Sequence, residues 1–129
     1  MNREKNAEKT CYTVGDICAL TGITRKTLFF YDRNHLLPPK DRVGPQNAKI
    51  YGSEDIARLR EILNYRRAGL LLREIGEILD HPGNRERILH AALVRAKAQH
   101  AEKEEEIARL NLLLQEAESK RTKSRERGD

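Results

Sequence analysis

The chain has 129 residues, a formal net charge of +5, 35% charged and 38% hydrophobic residues, 5% aromatics and no Trp. That length holds one ordinary domain, and the low apolar and aromatic content suits long solvated helices better than a compact globule. No apolar stretch nears the roughly 18 residues that span a bilayer, the N-terminus is charged where a signal peptide is apolar, and Cys11 and Cys18 fit neither a disulfide framework nor a zinc spacing, so a reduced, cytoplasmic location is expected.

Residues 1–11 are polar and read as a flexible N-terminus. Thr13 then has the features of a helix N-cap, with Asp16 placed to complete a capping box and Tyr12 and Ile17 as a hydrophobic staple. Val14, Ile17, Cys18 and Leu20 form the apolar face, and Gly22 supplies the left-handed residue that stops the helix. Thr24 caps a second helix at once, from Arg25 to Asn34. Two short helices joined by about three residues that include a Gly have the form of a helix-turn-helix.

Pro38, Pro39 and Pro45 exclude helix from LLPPKDRVGPQNAKIY, which reads as a small β-hairpin wing. Ser53 is expected to cap a third helix, with Glu54 and Asp55 against the positive end of its dipole and Ile56, Leu59, Ile62 and Leu63 on its core face. Leu72, Ile75, Ile78 and Leu79 mark a fourth helix, closed by Pro82 and Gly83.

The last helix is expected over 84–118, with Asn84 as its cap. Leu89, Leu93, Ala96, His100, Lys103, Ile107, Leu110, Leu114 and Ala117 repeat at alternating steps of four and three, a heptad seam with a polar middle. No second helix of that length exists in the chain to cover the seam, so a homodimer is expected. An antiparallel pair would bring the acidic run 104–106 towards Lys103 of the other copy, where a parallel pair would set Lys103 against itself. Residues 119–129 read as a basic flexible tail. The fold class that follows is all-α with a small β-hairpin wing: a head over 12–82, then a long antiparallel coiled-coil dimerisation helix.

Between Arg25 and Lys49, six basic residues (Arg25, Lys26, Arg33, Lys40, Arg42, Lys49) face two acidic ones, Asp32 and Asp41, which is the electrostatic footprint of a nucleic-acid binder. No Gly-rich phosphate loop, nucleophile-base pair or metal triad stands in the sequence, so neither enzyme activity nor a cofactor is expected. His81, His90 and His100 do not share a helical face at metal-ligand spacing, and soft-metal sensing without thiolates is not expected.

YTVGDICALTGITRKTLFFYDRNHLLPP (12–39), IYGSEDIARLREI (50–62) and RRAGLLLREIGEIL (66–79) resemble the MerR family of bacterial transcription regulators. The resemblance implies that the helix starting at Thr24 enters the major groove of double-stranded DNA, with the wing and the region around Arg66 gripping phosphates on either side. Thr13, Thr24, Arg25, Lys26, Thr27, Tyr31, Arg42, Lys49, Tyr51, Arg66 and Arg67 are the candidate DNA-binding residues. It also implies a near-palindromic promoter site whose distortion serves RNA polymerase.

Three departures from the family pattern bear on these contacts: Phe29-Phe30 where Arg-Tyr is common before Tyr31, Asn47-Ala48-Lys49 where Gly-Tyr-Arg is common, and Leu71 where Ser or Thr is common. Only a dozen residues, eight of them charged, follow Ala117, so no effector domain is expected. An excisionase-like DNA bender, a redox-responsive regulator acting through Cys11 and Cys18, and a helical protein-interaction adaptor remain open as alternatives.

Overall fold

The computed structural model describes residues 11–128. The expectation for the N-terminal residues 1–10 lies outside them. The elements in order are β1 (Tyr12–Thr13), α1 (Val14–Thr21), α2 (Arg25–Arg33), β2 (Asp41–Val43), β3 (Ala48–Tyr51), α3 (Ser53–Arg67), α4 (Leu72–Asp80), a single 3-10 turn (Pro82–Asn84) and α5 (Arg85–Gly128). The chain divides into a unit ending at Asn84 and a second beginning at Arg85.

Capping explains why the head breaks where it does. The Thr13 hydroxyl accepts the Asp16 amide at 3.1 Å and Asp16 returns a carboxylate to the Thr13 amide at 2.9 Å, satisfying two of the amides that a helix start leaves without partners. Gly22, at φ 82°, sends its N–H back to the Cys18 carbonyl and ends α1. Thr24 restarts the helix two residues later by accepting the Thr27 amide at 3.1 Å. At the far end of α2, the Leu36 and Leu37 amides both donate to the Tyr31 carbonyl, at 2.9 and 3.1 Å, while His35 takes a left-handed φ of 57° to turn the chain.

The wing is a three-stranded antiparallel sheet in the order β1-β3-β2. Tyr12 pairs with Tyr51 and Thr13 with Ile50, and on the other edge Arg42 pairs with Lys49 and Val43 with Ala48. Strand β1 is an addition to the hairpin expected from sequence; two residues carry no periodicity from which to read a strand. The cap of α3 also shifts by one: Gly52 is the N-cap, its amide held by the Asp55 carboxylate at 2.7 Å, and Ser53 is the first helical residue.

Ile17, Leu28, Leu37, Tyr51, Leu59, Ile62, Leu70 and Ile75 are the fully buried side chains of the first unit. Leu28 and Tyr31 stand three apart and turn one face of α2 inward, which leaves Arg25, Lys26, Phe30 and Arg33 on the outside.

The second unit is one helix. It runs past Ser119, where the apolar seam gives out, to Gly128. Helix propagation needs propensity and local pairs more than an apolar stripe, and the Lys120–Glu116 ion pair at 3.1 Å and the Thr122 hydroxyl on the Glu118 carbonyl at 3.0 Å supply local support. Ile107, Leu110, Leu112, Leu113 and Leu114 are all exposed on it. Among the described residues no helix is long and apolar enough to cross a membrane.

Candidate nucleic-acid interface

Helix α2 presents its N-terminal turn outward, with Thr24, Arg25 and Lys26 exposed. Two surface hollows flank it. One, on the α3–α4 side, is lined by Lys26, Thr27, Phe30, Tyr31, Arg33, Arg66 and Leu72. The other, on the wing side, is lined by Thr13, Gly15, Arg25, Phe29, Gln46, Asn47 and Lys49 among others. The first hollow joins Lys26 and Arg33 of α2 to Arg66 from the end of α3, an arrangement suited to a phosphate, and the second joins Arg25 of α2 to Lys49 of the wing.

The first hollow owes its shape to a buttressed turn. Arg66 donates from Nη1 to the Leu70 carbonyl at 3.0 Å, closing the reversal through Gly69, whose φ of 86° carries the chain from α3 to α4. Arg33 lies 5.9 Å from the centroid of the Phe30 ring, and that ring is tilted against Tyr31 at 6.5 Å. Tyr31 itself is mostly in the core, with only its edge on the hollow.

In the second hollow Arg25 lies across the start of α1. A Cβ at Gly15 would stand 3.6 Å from Arg25 Nη2, so the glycine leaves the guanidinium a flat surface to rest on. The turn of the wing takes left-handed φ at Gly44 (76°) and Asn47 (53°), the latter an allowed conformation for Asn. Behind the turn, the Lys49 ammonium sits 4.0 Å over the Phe29 ring and 2.9 Å from Asp32 Oδ2. Arg42 Nη2 reaches the same carboxylate, 3.1 Å from Oδ1 and 3.0 Å from Oδ2.

Asp32 was not among the residues expected from sequence, yet it holds the wing to α2. Its side chain is only 10% exposed. Burial opposes its charge, but the hydrogen bonds from Lys49 and Arg42, with their positive charges, outweigh that and hold its carboxyl below the usual carboxylate value. A sequence signal existed: Asp32 follows buried Leu28 by four residues, and a carboxylate on the inward face of a basic helix needs a partner.

Several candidates stand elsewhere than expected. Tyr51 is a correction: it is fully buried, burial pushes its phenol up to about 12, and its hydroxyl has no hydrogen-bond partner among the described residues, so its side chain belongs to the core and not to the exposed surface expected of it. The Thr13 and Thr24 hydroxyls are engaged as helix caps. Arg67 lines a different hollow, with Leu20, Arg60 and Asn64, and does not join Arg66 beside α2. Of the cysteines, Cys11 is exposed and Cys18 half-buried. Among the described residues no group of three or more His, Cys, Asp or Glu side chains could hold a metal ion.

Comparison with known proteins agrees with this geometry. The model of the MerR HTH family regulatory proteins matches residues 12–82, and that of the MerR DNA-binding region matches 56–118. The HTH-type transcriptional activator TipA of Streptomyces coelicolor is 38% identical over 71 residues, which are 55% of this chain and 28% of TipA, so the chain spans little more than a quarter of that relative. Among solved structures, MtaN, the N-terminal part of the Bacillus subtilis multidrug transporter activator, superposes with a TM-score of 0.69 at 29% identity, covering 80% of this chain and 97% of MtaN. HiNmlR, a MerR family regulator lacking the sensor domain and bound to promoter DNA, shares the fold at a TM-score of 0.54 and 24% identity, with 81% of this chain and 87% of HiNmlR covered. The chain belongs to the MerR family of helix-turn-helix regulatory proteins.

Proposed function

We propose that this chain is a homodimeric, sequence-specific binder of double-stranded DNA that regulates transcription at a promoter. Helix α2 enters the major groove, Arg25 and Lys26 reach base edges or the nearest phosphates, and the hollow formed by Lys26, Thr27 and Arg66 receives the sugar-phosphate backbone. The observation that carries this reading is the exposed, capped start of α2, which presents Arg25 and Lys26 beside the hollow that Lys26 shares with Arg66.

Dimerisation is proposed through α5. Leu93, Ile107, Leu110 and Leu114, four positions of the heptad seam, are each more than half exposed in the single chain, and a second copy laid antiparallel along α5 would bury them. Leu89, Ala96, His100, Lys103 and Ala117 complete that interface. Two heads held at a fixed separation then read a near-palindromic site, and deforming the DNA between its halves is the proposed means of acting on RNA polymerase. The chemistry these side chains offer is that of binding and not of catalysis, and a cytoplasmic location fits a DNA ligand.

The test is a selection of duplexes from a random library by the full chain, followed by titration of the selected site and of mixed-sequence DNA at several salt concentrations, with sedimentation of the free protein and of the complex. Dimers on a two-fold symmetric site, with affinity that falls steeply as salt rises, support the proposal. A protein that selects no sequence and binds no duplex at low salt would falsify it.

A further inference from the structure

Strand pairing in the wing creates a conflict that the rest of the fold resolves. Arg42 and Lys49 are directly opposite one another on β2 and β3, and like charges at opposed positions destabilise a hairpin. The carboxylate of Asp32, brought up from α2, lies against both: 2.9 Å from Lys49 Nζ and 3.0 Å from Arg42 Nη2. Lys49 is further enclosed by the face of Phe29, which leaves its side chain 20% exposed, while that of Arg42 is 46% exposed. Two of the wing's cations are therefore committed within the protein before any ligand arrives.

We propose that Asp32 is a specificity-determining positioning residue: by holding Arg42 and Lys49 it fixes the wing against α2 and keeps both cations from indiscriminate contact with phosphates. A free Arg or Lys adds affinity for every duplex alike, because phosphates carry no sequence. Two cations held in place withdraw that uniform contribution, and the wing instead meets DNA as a rigid body whose position follows that of α2. Discrimination between sites then rests on α2. This inference depends on the DNA-binding reading above.

The experiment measures affinity for mixed-sequence duplex and for the selected site against salt, using the full chain with Asp32→Asn, with Arg42→Gln/Lys49→Gln, and with all three substitutions. Asp32→Asn is expected to bind mixed-sequence DNA more tightly at low salt, to lose roughly 3- to 12-fold more of that affinity than wild type between about 50 and 200 mM salt as one or two freed cations engage phosphates, and to discriminate less between the two duplexes. In the Arg42→Gln/Lys49→Gln background the same substitution should change neither quantity, which separates release of these two cations from a general gain of positive charge. An unchanged salt dependence in folded Asp32→Asn overturns the proposal.

Should Asp32→Asn fail to fold by circular dichroism, Arg42→Gln/Lys49→Gln decides alone: a salt dependence on mixed-sequence DNA like that of wild type supports sequestration, and a shallower one overturns it. Wild-type protein that ignores all duplexes removes the DNA-binding reading itself, whereas wild type that binds beside a folded Asp32→Asn of unaltered salt dependence removes only the role of Asp32.

Discussion

Arg58 Nε donates to the carbonyl of Leu36 at 2.8 Å, linking the middle of α3 to the buried segment where the chain leaves α2. The same guanidinium lies 3.4 Å from Asp80 Oδ1 at the end of α4. One side chain thus ties together α3, the segment that follows α2 and the end of α4. Arg58→Ala leaves the Leu36 carbonyl without its donor and should lower stability by about 1–3 kcal/mol in urea denaturation, with Arg58→Lys recovering only part of it. Loss of less than half a kcal/mol in Arg58→Ala would show that water replaces the bond.

Tyr51 gives a prediction of opposite sign. Its ring is fully buried but its hydroxyl has no partner among the described residues, so Tyr51→Phe removes a desolvated polar group and keeps the packing. Stability at neutral pH should hold or rise by up to about 1 kcal/mol, and affinity for DNA should stay unchanged. Burial raises this phenol from 10.0 to about 12, so the folded state retains its proton longer than the unfolded chain. The stability this gives is complete below pH 10 and declines as pH rises towards 12, and Tyr51→Phe should lose that component of the alkaline decline in unfolding experiments at pH 9–12.

These two residues also mark the limits of legibility. Helix starts and stops were readable because Thr13, Asp16, Gly22 and Thr24 act through bonds spanning no more than four residues, all visible in local sequence. The wing was readable from its prolines. What sequence did not give is the outcome of long-range pairing: Tyr51 looked like a hairpin contact until β1 covered that edge by pairing with β3, and Arg42 and Lys49 looked like free cations until α2 brought Asp32 to them across ten and seventeen residues. Charge runs alone do not separate a cation that faces solvent from one neutralised within the protein.

The Asp32 carboxylate should leave its mark on acid stability. Because its folded-state value lies below the ordinary 3.8, the folded protein binds fewer protons there than the unfolded chain, and stability rises with pH through that range. The contribution is complete above pH 3.8 and is lost as pH falls through the folded-state value. Urea midpoints between pH 6 and 2 should therefore draw together for wild type and Asp32→Asn only as pH falls below 3.8, with wild type more stable at the neutral end. Parallel curves would mean that the ion pairs add nothing to stability.

Arg25 is the outward cation that rests on the start of α1 and faces the wing-side hollow. If it contacts bases, Arg25→Ala should weaken binding to the selected site by about 1–3 kcal/mol while changing affinity for mixed-sequence duplex by much less. Equal losses on both duplexes would make it a phosphate contact.

The polarity of the proposed dimer is open to a cross-linking test. In the antiparallel pair that sets His100 of one copy against Lys103 of the other, Leu89 of one copy faces Leu114 of the other, while in a parallel pair each faces itself. The two positions lie about 38 Å apart along the helix at 1.5 Å per residue, too far for either to meet its own copy in the antiparallel arrangement. In a Cys11→Ser/Cys18→Ser background, Leu89→Cys/Leu114→Cys should form a disulfide-linked dimer under mild oxidation, and neither single cysteine variant should do so. Efficient cross-linking of Leu89→Cys alone would establish the parallel arrangement. Leu110→Lys combined with Leu114→Lys should convert the dimer to monomer by sedimentation, because four lysines would then oppose burial along the same seam, and a dimer that survives both substitutions would place the interface elsewhere.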